Sequence, residues 1–139
     1  MRHHRQIAVV LLLVSALVVI FATGGCTNSS SSQSKAKKTT GKRVSQESLE
    51  AWQKRLPTAI ISVFPNQAQC ARVYGKVTNT SKKTAIMIKI RVLEGTEKQV
   101  GITSIENLRP NEEKTFEVQT AVLESEFENP TLEISEVWE

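Results

Sequence analysis

The sequence predicts an all-β fold, an antiparallel β-sandwich of six to seven strands preceded by a short helix. Three observations lead to this prediction. Before Pro57 the apolar residues follow a helical period, and from Thr58 onward they recur at every second position, as in strands with one buried face. Turn-forming residues interrupt these alternating runs roughly every 8 to 12 residues, which is typical of sandwiches. A barrel is the structural alternative for the same pattern.

The helix is predicted over Ser45 to Arg55. The Ser45 hydroxyl can accept a hydrogen bond from the first turn, as N-cap residues do. Leu49, Trp52 and Leu56 follow the helical period and lie on one face. Pro57 ends the helix, because the residue before a proline avoids the helical region. We expect this helix to pack on the domain that follows it.

Short strands follow the helix, and the run from Thr84 to Leu93 has the clearest alternation. Gly75 lies inside a strand, which it weakens unless a close backbone approach or a bulge makes use of the missing side chain. Asn79 suits a strand exit because its side chain can bond its own backbone, and Leu108 is expected to fill the core before a proline turn. The predicted strands are Thr58–Phe64, Cys70–Thr78, Thr84–Leu93, Lys98–Ile105, Lys114–Gln119 and Thr131–Trp138, with a less regular stretch through Phe127.

The first 25 residues have the composition of a secretory signal. Arg2 and Arg5 precede an apolar run from Ile7 to Ala22, and a basic start followed by a short apolar run is typical of exported proteins. The stretch Thr23-Gly24-Gly25-Cys26 resembles a lipobox, which predicts a cleaved lipoprotein signal over residues 1–25 and lipid attachment at Cys26. The alternatives are an uncleaved signal anchor, in which Cys26 has no role, and ordinary secretion with release.

Residues 26–43 are predicted to form a disordered spacer rich in serine and lysine, because they hold no large apolar side chain. The spacer is either held near anionic headgroups by its lysines or simply solvated. A short helical segment then occupies residues 44–57, and the sandwich occupies residues 58–139.

Two cysteines, Cys26 and Cys70, are too few for a disulfide scaffold. A lipid on Cys26 would leave Cys70 as an unpaired thiol in an oxidising compartment. The position of Cys70 at a strand entry predicts a buried, inert side chain. A regulatory or intermolecular thiol is the alternative.

The formal charge of +4 reflects the leader and spacer, since from Val44 onward 11 basic residues face 14 acids. The chain is therefore not expected to bind nucleic acid. Residues 68–93 hold six basic residues and no acid, whereas residues 112–139 hold nine acids and one lysine. Either the domain is electrically polarised, which would favour a charged partner, or adjacent strands neutralise one another.

Three segments, Val73–Ser81, Gln99–Gly101 and Ile105–Val118, resemble the FxLYD-type bacterial immunoglobulin-like domain. That family reads G-x-V-x-N, an apolar strand, a Tyr-Asp turn, and L-x-P-G-E before F-x-V. Here Leu93-Glu94 stands at the Tyr-Asp position, and Asn111 replaces the glycine. The resemblance implies an immunoglobulin-like sandwich on a surface lipoprotein or membrane-anchored protein, without a catalytic motif.

Catalytic chemistry is restricted because no histidine and no aspartate follow Cys26. This excludes histidine-based triads and histidine metal clusters, so no cofactor or metal is expected. Glutamate pairs can serve glycosidases; the candidates are Glu112 with Glu113, and Glu124, Glu126 and Glu128, all expected to be solvated. The sequons at Asn28 and Asn79 are expected by chance in a chain rich in serine and threonine.

The sequence thus predicts a lipid-anchored envelope protein on the extracytoplasmic side of a cell membrane. Its domain is expected to be non-enzymatic and to bind a protein or cell-wall partner, with Tyr74 or Trp138 in an exposed patch. The first alternative is an accessory subunit of an envelope enzyme or secretion complex, anchored by an uncleaved N-terminal helix. A glutamate-based hydrolase is the second.

Overall fold

A computed structural model describes Cys26 and residues 40–139. The predicted signal segment and most of the predicted spacer lie outside these residues. One helix and six strands make up the domain, with a short 3-10 helix before the last strand. Their bounds are α1 Gln46–Arg55, β1 Thr58–Pro65, β2 Cys70–Thr78, β3 Ala85–Glu94, β4 Lys98–Leu108, β5 Glu113–Leu123, the 3-10 helix Glu124–Glu126, and β6 Pro130–Trp138.

The six strands form two antiparallel sheets, ordered β1-β2-β5 and β4-β3-β6. The predicted sandwich is confirmed, since no hydrogen-bonded ladder among residues 40–139 joins the two sheets into a barrel. In the immunoglobulin fold strands A, B and E share one sheet, and C and F share the other. Here β1, β2 and β5 correspond to strands A, B and E, and β3 and β6 correspond to strands C and F. β4 pairs with the edge of β3 that faces away from β6.

Helix α1 closes one end of the sandwich, as its apolar face predicts. Ser45 is the N-cap and accepts a hydrogen bond from the Ser48 backbone at 3.4 Å. Leu49, Trp52 and Leu56 are all buried in the core. Gln53 Nε2 donates to the Ile134 carbonyl at 2.8 Å, and so the helix protects part of the outer edge of β6 from pairing with other strands.

The core lies between the two inner faces and uses the alternating residues of the predicted strands. Ile88, Ile90 and Val92 of β3 and Leu108 of β4 are completely buried. Gly75 confirms the prediction of close approach, because a Cβ at this position would lie 2.6 Å from Phe116 Cζ. The remaining core side chains are mainly Val73, Val77, Ala85, Val100, Ile105, Phe116, Val118, Ile134 and Val137.

Bulges change which apolar residues face the core in two strands. The register of β1 against β2 shifts between Ile60 and Ser62, so Ile61 is 50% exposed while Ile60 and Val63 pack against the core. In β4 the register shifts beside Val100, and Ile102 is 44% exposed. A bulge inserts one residue and reverses the faces beyond it, which simple alternation in the sequence does not reveal.

Asn111 adopts a left-handed backbone conformation, with φ of 61°. This is the position where the FxLYD-type pattern has glycine. Glycine enters the left-handed region freely, and asparagine is among the few other residues that do so readily. Asparagine at this position is therefore compatible with the left-handed turn.

The two ends of the sandwich are distinct, and we name them by their contents. The helix end holds α1 and the turns at residues 79–84 and 109–112. The cysteine end holds Cys70 and the turns at residues 66–69, 95–97 and 124–129. Lys42 and Arg43, the last residues of the predicted spacer, lie at the helix end: residues 42–44 pair with the end of β6, and Lys42 N donates to the Glu139 carbonyl at 3.0 Å. Within the described residues, no helix has the length and apolar character needed to span a membrane.

Candidate functional site

Cys26 forms a disulfide with Cys70 at the cysteine end. The two Cα atoms are 6.0 Å apart, a separation usual for disulfides. Cys70 is buried, as predicted, but it is not the unpaired thiol expected beside a lipidated Cys26. A sulfur that bears a lipid thioether has no remaining valence for an S–S bond. Lipid attachment at Cys26 stays a prediction, and it describes a different chemical state of this residue.

The turn before β2 holds Cys70 in place. Asn66 Oδ1 accepts hydrogen bonds from the backbone N–H groups of Ala68 and Cys70 at 2.8 and 2.9 Å, as expected for a turn-forming asparagine. The Gln69 carbonyl accepts from Glu124 N at 2.8 Å. These bonds tie the turn to the 3-10 helix and fix the point at which Cys26 is attached.

The helix end holds an open groove of about 850 Å³. It lies where residues 42–44 and the start of α1 meet the ends of β3 and β6. Its lining combines lysine, arginine, glutamate and hydroxyl side chains with a similar amount of apolar surface. The lining residues are Lys42, Arg43, Val44, Ser45, Gln46, Ser48, Leu49, Lys83, Thr84, Ser135, Glu136, Val137 and Glu139.

The charges of the groove are partly paired. Arg43 lies 3.5 Å from Glu136, and Lys83 lies 3.4 Å from Glu139. A hydrogen bond from Lys89 is the main cause that lowers the pKa of Glu136, and the positive charges of Lys89 and Arg43 add to it. Glu136 is therefore kept ionised, with cations beside it. Such a lining can bind a polar ligand by hydrogen bonds and charge, and the lowered pKa of Glu136 is opposite to what a general base near neutral pH needs.

The outer faces of both sheets carry cross-strand ion pairs. Lys89 and Arg91 on β3 contact Glu136 and Glu133 on β6 at 3.1 and 2.7 Å. On the other sheet the pairs are Arg72 with Glu117 and Lys76 with Glu113. Neutralisation between adjacent strands is therefore confirmed, and the alternative of two oppositely charged faces is wrong. The central strand of each sheet is basic and its neighbour is acidic.

The charges left without an ion pair separate along the strand axis. In the described part of the chain, every basic residue without an acidic partner lies at the helix end, namely Lys42, Lys54, Arg55, Lys82 and Arg109. Unpaired acids near that end are Glu47, Glu50 and Glu106. The cysteine end holds four unpaired acids and no unpaired base: Glu97, Glu124, Glu126 and Glu128.

The glutamates considered for hydrolysis do not converge. Glu112 accepts a hydrogen bond from Arg109 N at 2.7 Å, and Glu113 accepts one from Thr78 Oγ1 at 3.1 Å. A hydrogen bond from Lys76 is the main cause that lowers the pKa of Glu113, opposite to the raised pKa of a general acid. Glu124, Glu126 and Glu128 are exposed at the other end. The described residues also contain no group of three or more side chains suited to a metal.

The described residues show no exposed aromatic patch, and the apolar side chains that are exposed are isolated from one another. Tyr74 and Trp138 are both half-buried. The large apolar side chains that are exposed in residues 40–139 are Ile61 on β1 and Ile102 on β4. β1 lies beside β6 and β4 lies beside β5, so these two residues are on opposite sides of the sandwich and form no common surface.

Asn79 is a structural residue and not an available glycan acceptor. Its side chain is completely buried. Nδ2 donates to the carbonyls of Lys83 and Leu108 at 2.8 and 2.9 Å, and Oδ1 accepts from Ser81 N at 2.9 Å. The sequence indicated the local bond to the turn but not the bond to Leu108, which joins this turn to the other sheet. The pairing of Cys26 with Cys70 was not predicted either, and the only signal for it in the sequence was that the chain contains two cysteines.

Comparisons of the chain with protein-family models, with curated proteins and with solved structures find no match.

Proposed function

We propose that this protein is a membrane-tethered, extracytoplasmic immunoglobulin-like module that binds or assembles envelope components without catalysing a reaction. The observation that carries the proposal is the disulfide between Cys26 and Cys70. Disulfides persist in oxidising compartments outside the cytoplasm. The basic and apolar segment that ends four residues before Cys26 supplies the export signal and the means of tethering.

The absence of catalytic chemistry from residues 40–139 supports a binding role. The candidate glutamates are paired or solvated, and Cys70 has no thiol that could act as a nucleophile. The groove at the helix end supplies a concave surface that carries cations, carboxylates and hydroxyls beside apolar side chains. Binding sites are commonly concave, and this groove is our candidate for contact with an envelope partner.

The resemblance to FxLYD-type domains supports the same proposal. The strand order fits an immunoglobulin-like sandwich. The left-handed Asn111 takes the conformation that the glycine of the family pattern permits. Membership of that family remains part of the proposal.

The disulfide favours one form of tether over the other. With Cys26 bonded to Cys70, its sulfur is not available for the lipid thioether, and the tether that we propose is then the apolar segment 7–22 itself. This is the anchoring that we associated with an accessory subunit of an envelope complex. We therefore keep that role as a second candidate function, with the groove as the contact to the larger partner.

Location is tested by producing the full chain in cells and probing intact cells with a membrane-impermeant thiol reagent. We expect to find the protein in the membrane fraction, and we expect its two cysteines to be labelled on intact cells only after reduction. A protein whose two cysteines react without reduction, and only after the cells are opened, would contradict the extracytoplasmic assignment.

Binding through the groove is tested by crosslinking intact cells and recovering the protein. Lys42→Glu with Lys83→Glu reverses two groove cations, and Lys98→Glu at the cysteine end is the matched control. We expect a reproducible partner with the wild type and the control, and about ten-fold less with the groove variant. Equal recovery with all three proteins would exclude the groove, and recovery of no partner would argue against assembly.

A further inference from the structure

We propose that the Cys26–Cys70 disulfide sets the orientation of the domain, with the cysteine end toward the membrane and the helix end, with its groove, away from it. This inference rests on the proposed membrane tether through residues 7–22. It concerns which surface of the domain is presented to the outside, and it makes the membrane the partner of the cysteine end.

The apolar segment can be connected to the domain through the disulfide or only along the chain, and these two connections differ greatly in length. Four peptide steps separate Ala22 from Cys26, and an extended chain covers at most about 14 Å in four steps. The Cα atom of Cys70 is 6.0 Å farther. Cys70 is therefore held within about 20 Å of the end of the apolar segment. Without the disulfide the chain from Ala22 has joined the domain by Lys42, at most twenty steps away, and the reach is at most about 70 Å.

The sandwich is long enough for this difference to matter. A ten-residue strand such as β3 spans about 33 Å. The short connection attaches at the cysteine end, so the groove at the helix end faces away from the membrane. The long connection joins the domain at the helix end, beside the groove, and allows either end of the sandwich to reach the membrane surface.

Charge alone favours the opposite orientation. The cysteine end carries four unpaired glutamates, Glu97, Glu124, Glu126 and Glu128, whereas the unpaired cations of the domain lie at the helix end. An anionic membrane surface attracts cations within about 10 Å at moderate salt and repels carboxylates. The covalent bond opposes this electrostatic preference, so we expect reduction to reverse the orientation.

Formation of the bond has a simple balance. The thiols of Cys26 and Cys70 lose two protons and two electrons as the S–S bond forms. The electrons reduce a disulfide of an extracytoplasmic thiol oxidoreductase to two thiols, by exchange through a mixed disulfide. The oxidised protein has no thiol at Cys26 for alkylation, so it keeps its leader and carries no lipid at this residue.

Orientation is measured by labelling two exposed lysines, Lys82 at the helix end and Lys98 at the cysteine end. The full chain is placed in vesicles that contain anionic lipid and is treated with a membrane-impermeant amine reagent. Peptide mass spectrometry then gives the ratio of Lys82 to Lys98 modification, normalised to the same protein in detergent. We expect this ratio to be at least about three-fold higher in the oxidised wild type than in Cys26→Ser, which loses the disulfide and cannot be lipidated.

Two further samples keep the result independent of misfolding. Wild type that is reduced in the vesicles should give the same ratio of Lys82 to Lys98 modification as Cys26→Ser. High salt should raise this ratio in both samples, because it releases the helix end from the membrane surface. The same ratio in oxidised and reduced wild type would overturn the inference. So would a lipid adduct on Cys26 in the intact mass of the wild type. Loss of the wild type from the membrane fraction would instead refute the proposed tether.

Discussion

Replacement of Asn79 by alanine would test whether one buried amide joins the two sheets at the helix end. The side chain of Asn79 is completely buried and makes three hydrogen bonds. Two of the bonds hold the turn after β2, and the bond to the Leu108 carbonyl reaches the last residue of β4 in the other sheet. Alanine removes all three and leaves two carbonyls and one N–H group without these partners.

The magnitude follows from the number of bonds. A net intramolecular hydrogen bond contributes about 1 kcal/mol, and a buried partner left unsatisfied adds to the cost. We therefore expect Asn79→Ala to lower the free energy of unfolding by about 3 kcal/mol, a large part of the 5–15 kcal/mol typical of a domain. Asn79→Asp should cost at least as much at neutral pH, because a carboxylate oxygen would face two carbonyl oxygens. Its stability should rise as the pH falls, since the neutral acid can again donate one bond.

The assay is urea unfolding of the purified chain followed by tryptophan fluorescence. Trp52 is buried against the core at the same end and reports on unfolding there. With a urea dependence of about 1–1.5 kcal/mol per molar, a loss of 3 kcal/mol moves the midpoint by about 2 M or more.

The matched control is Thr80→Ala, at the neighbouring position. Thr80 is exposed, and its hydroxyl donates one bond to the Arg55 carbonyl at 3.0 Å. We expect a loss below about 1 kcal/mol for this variant. A midpoint for Asn79→Ala equal to that of Thr80→Ala would refute the reasoning, because the three bonds of the buried amide would then contribute no more than one exposed bond.

Three other predictions concern close packing, backbone conformation and pH. Gly75→Ala should cost about 1–3 kcal/mol because its Cβ would lie 2.6 Å from Phe116 Cζ, and adding Phe116→Leu should recover part of that loss in a double-mutant cycle. At Asn111, with φ of 61°, glycine should be tolerated, whereas valine should cost more than about 1 kcal/mol in the same urea assay. Glu113 and Glu136 have lowered pKa values. Their ion pairs therefore stabilise the fold above the ordinary glutamate pKa of 4.5, and this contribution should be lost as the pH falls through the lower folded values.

Each of these predictions has its own contrary outcome. A Gly75→Ala protein as stable as the wild type would mean that the Phe116 ring moves without cost. Equal stability of the glycine and valine variants at Asn111 would show that the turn relaxes out of the left-handed region. For the pH dependence, thermal melting of Glu113→Gln with Glu136→Gln is the control. This double variant should lose less stability between pH 6 and 3 than the wild type, and identical losses would contradict the assignment.

Periodicity in the sequence was enough to predict most of the fold. The helix begins at its predicted N-cap and buries the three residues that the helical period placed on one face. The predicted strands all occur, because alternation and turn residues report directly on which side of a strand is buried. Alternation does not account for the exposure of Ile61 and Ile102, which lie at or beside bulges. A bulge depends on the register between two strands and not on the residues of one strand.

Less of the candidate site than of the fold could be predicted from the sequence. The alternation of basic and acidic segments along the chain allowed either two charged faces or neutral ones. Only the neighbours of each strand distinguish them: β3 pairs with β6 and β2 with β5, so Lys89 faces Glu136. The groove was not predicted because it combines residues 42–49 with the ends of strands more than 30 positions away along the chain.

The amino-acid sequence alone establishes a basic and apolar N-terminal segment, a short helix and alternating strands, and after Cys26 it contains no histidine or aspartate for a catalytic site. These are local properties, set by composition and by the period of buried residues. The pairing of Cys26 with Cys70, the buried bonds of Asn79 and the separation of unpaired charge between two ends belong to the tertiary structure. They join residues far apart along the chain, and only the packing of the two sheets brings those residues together.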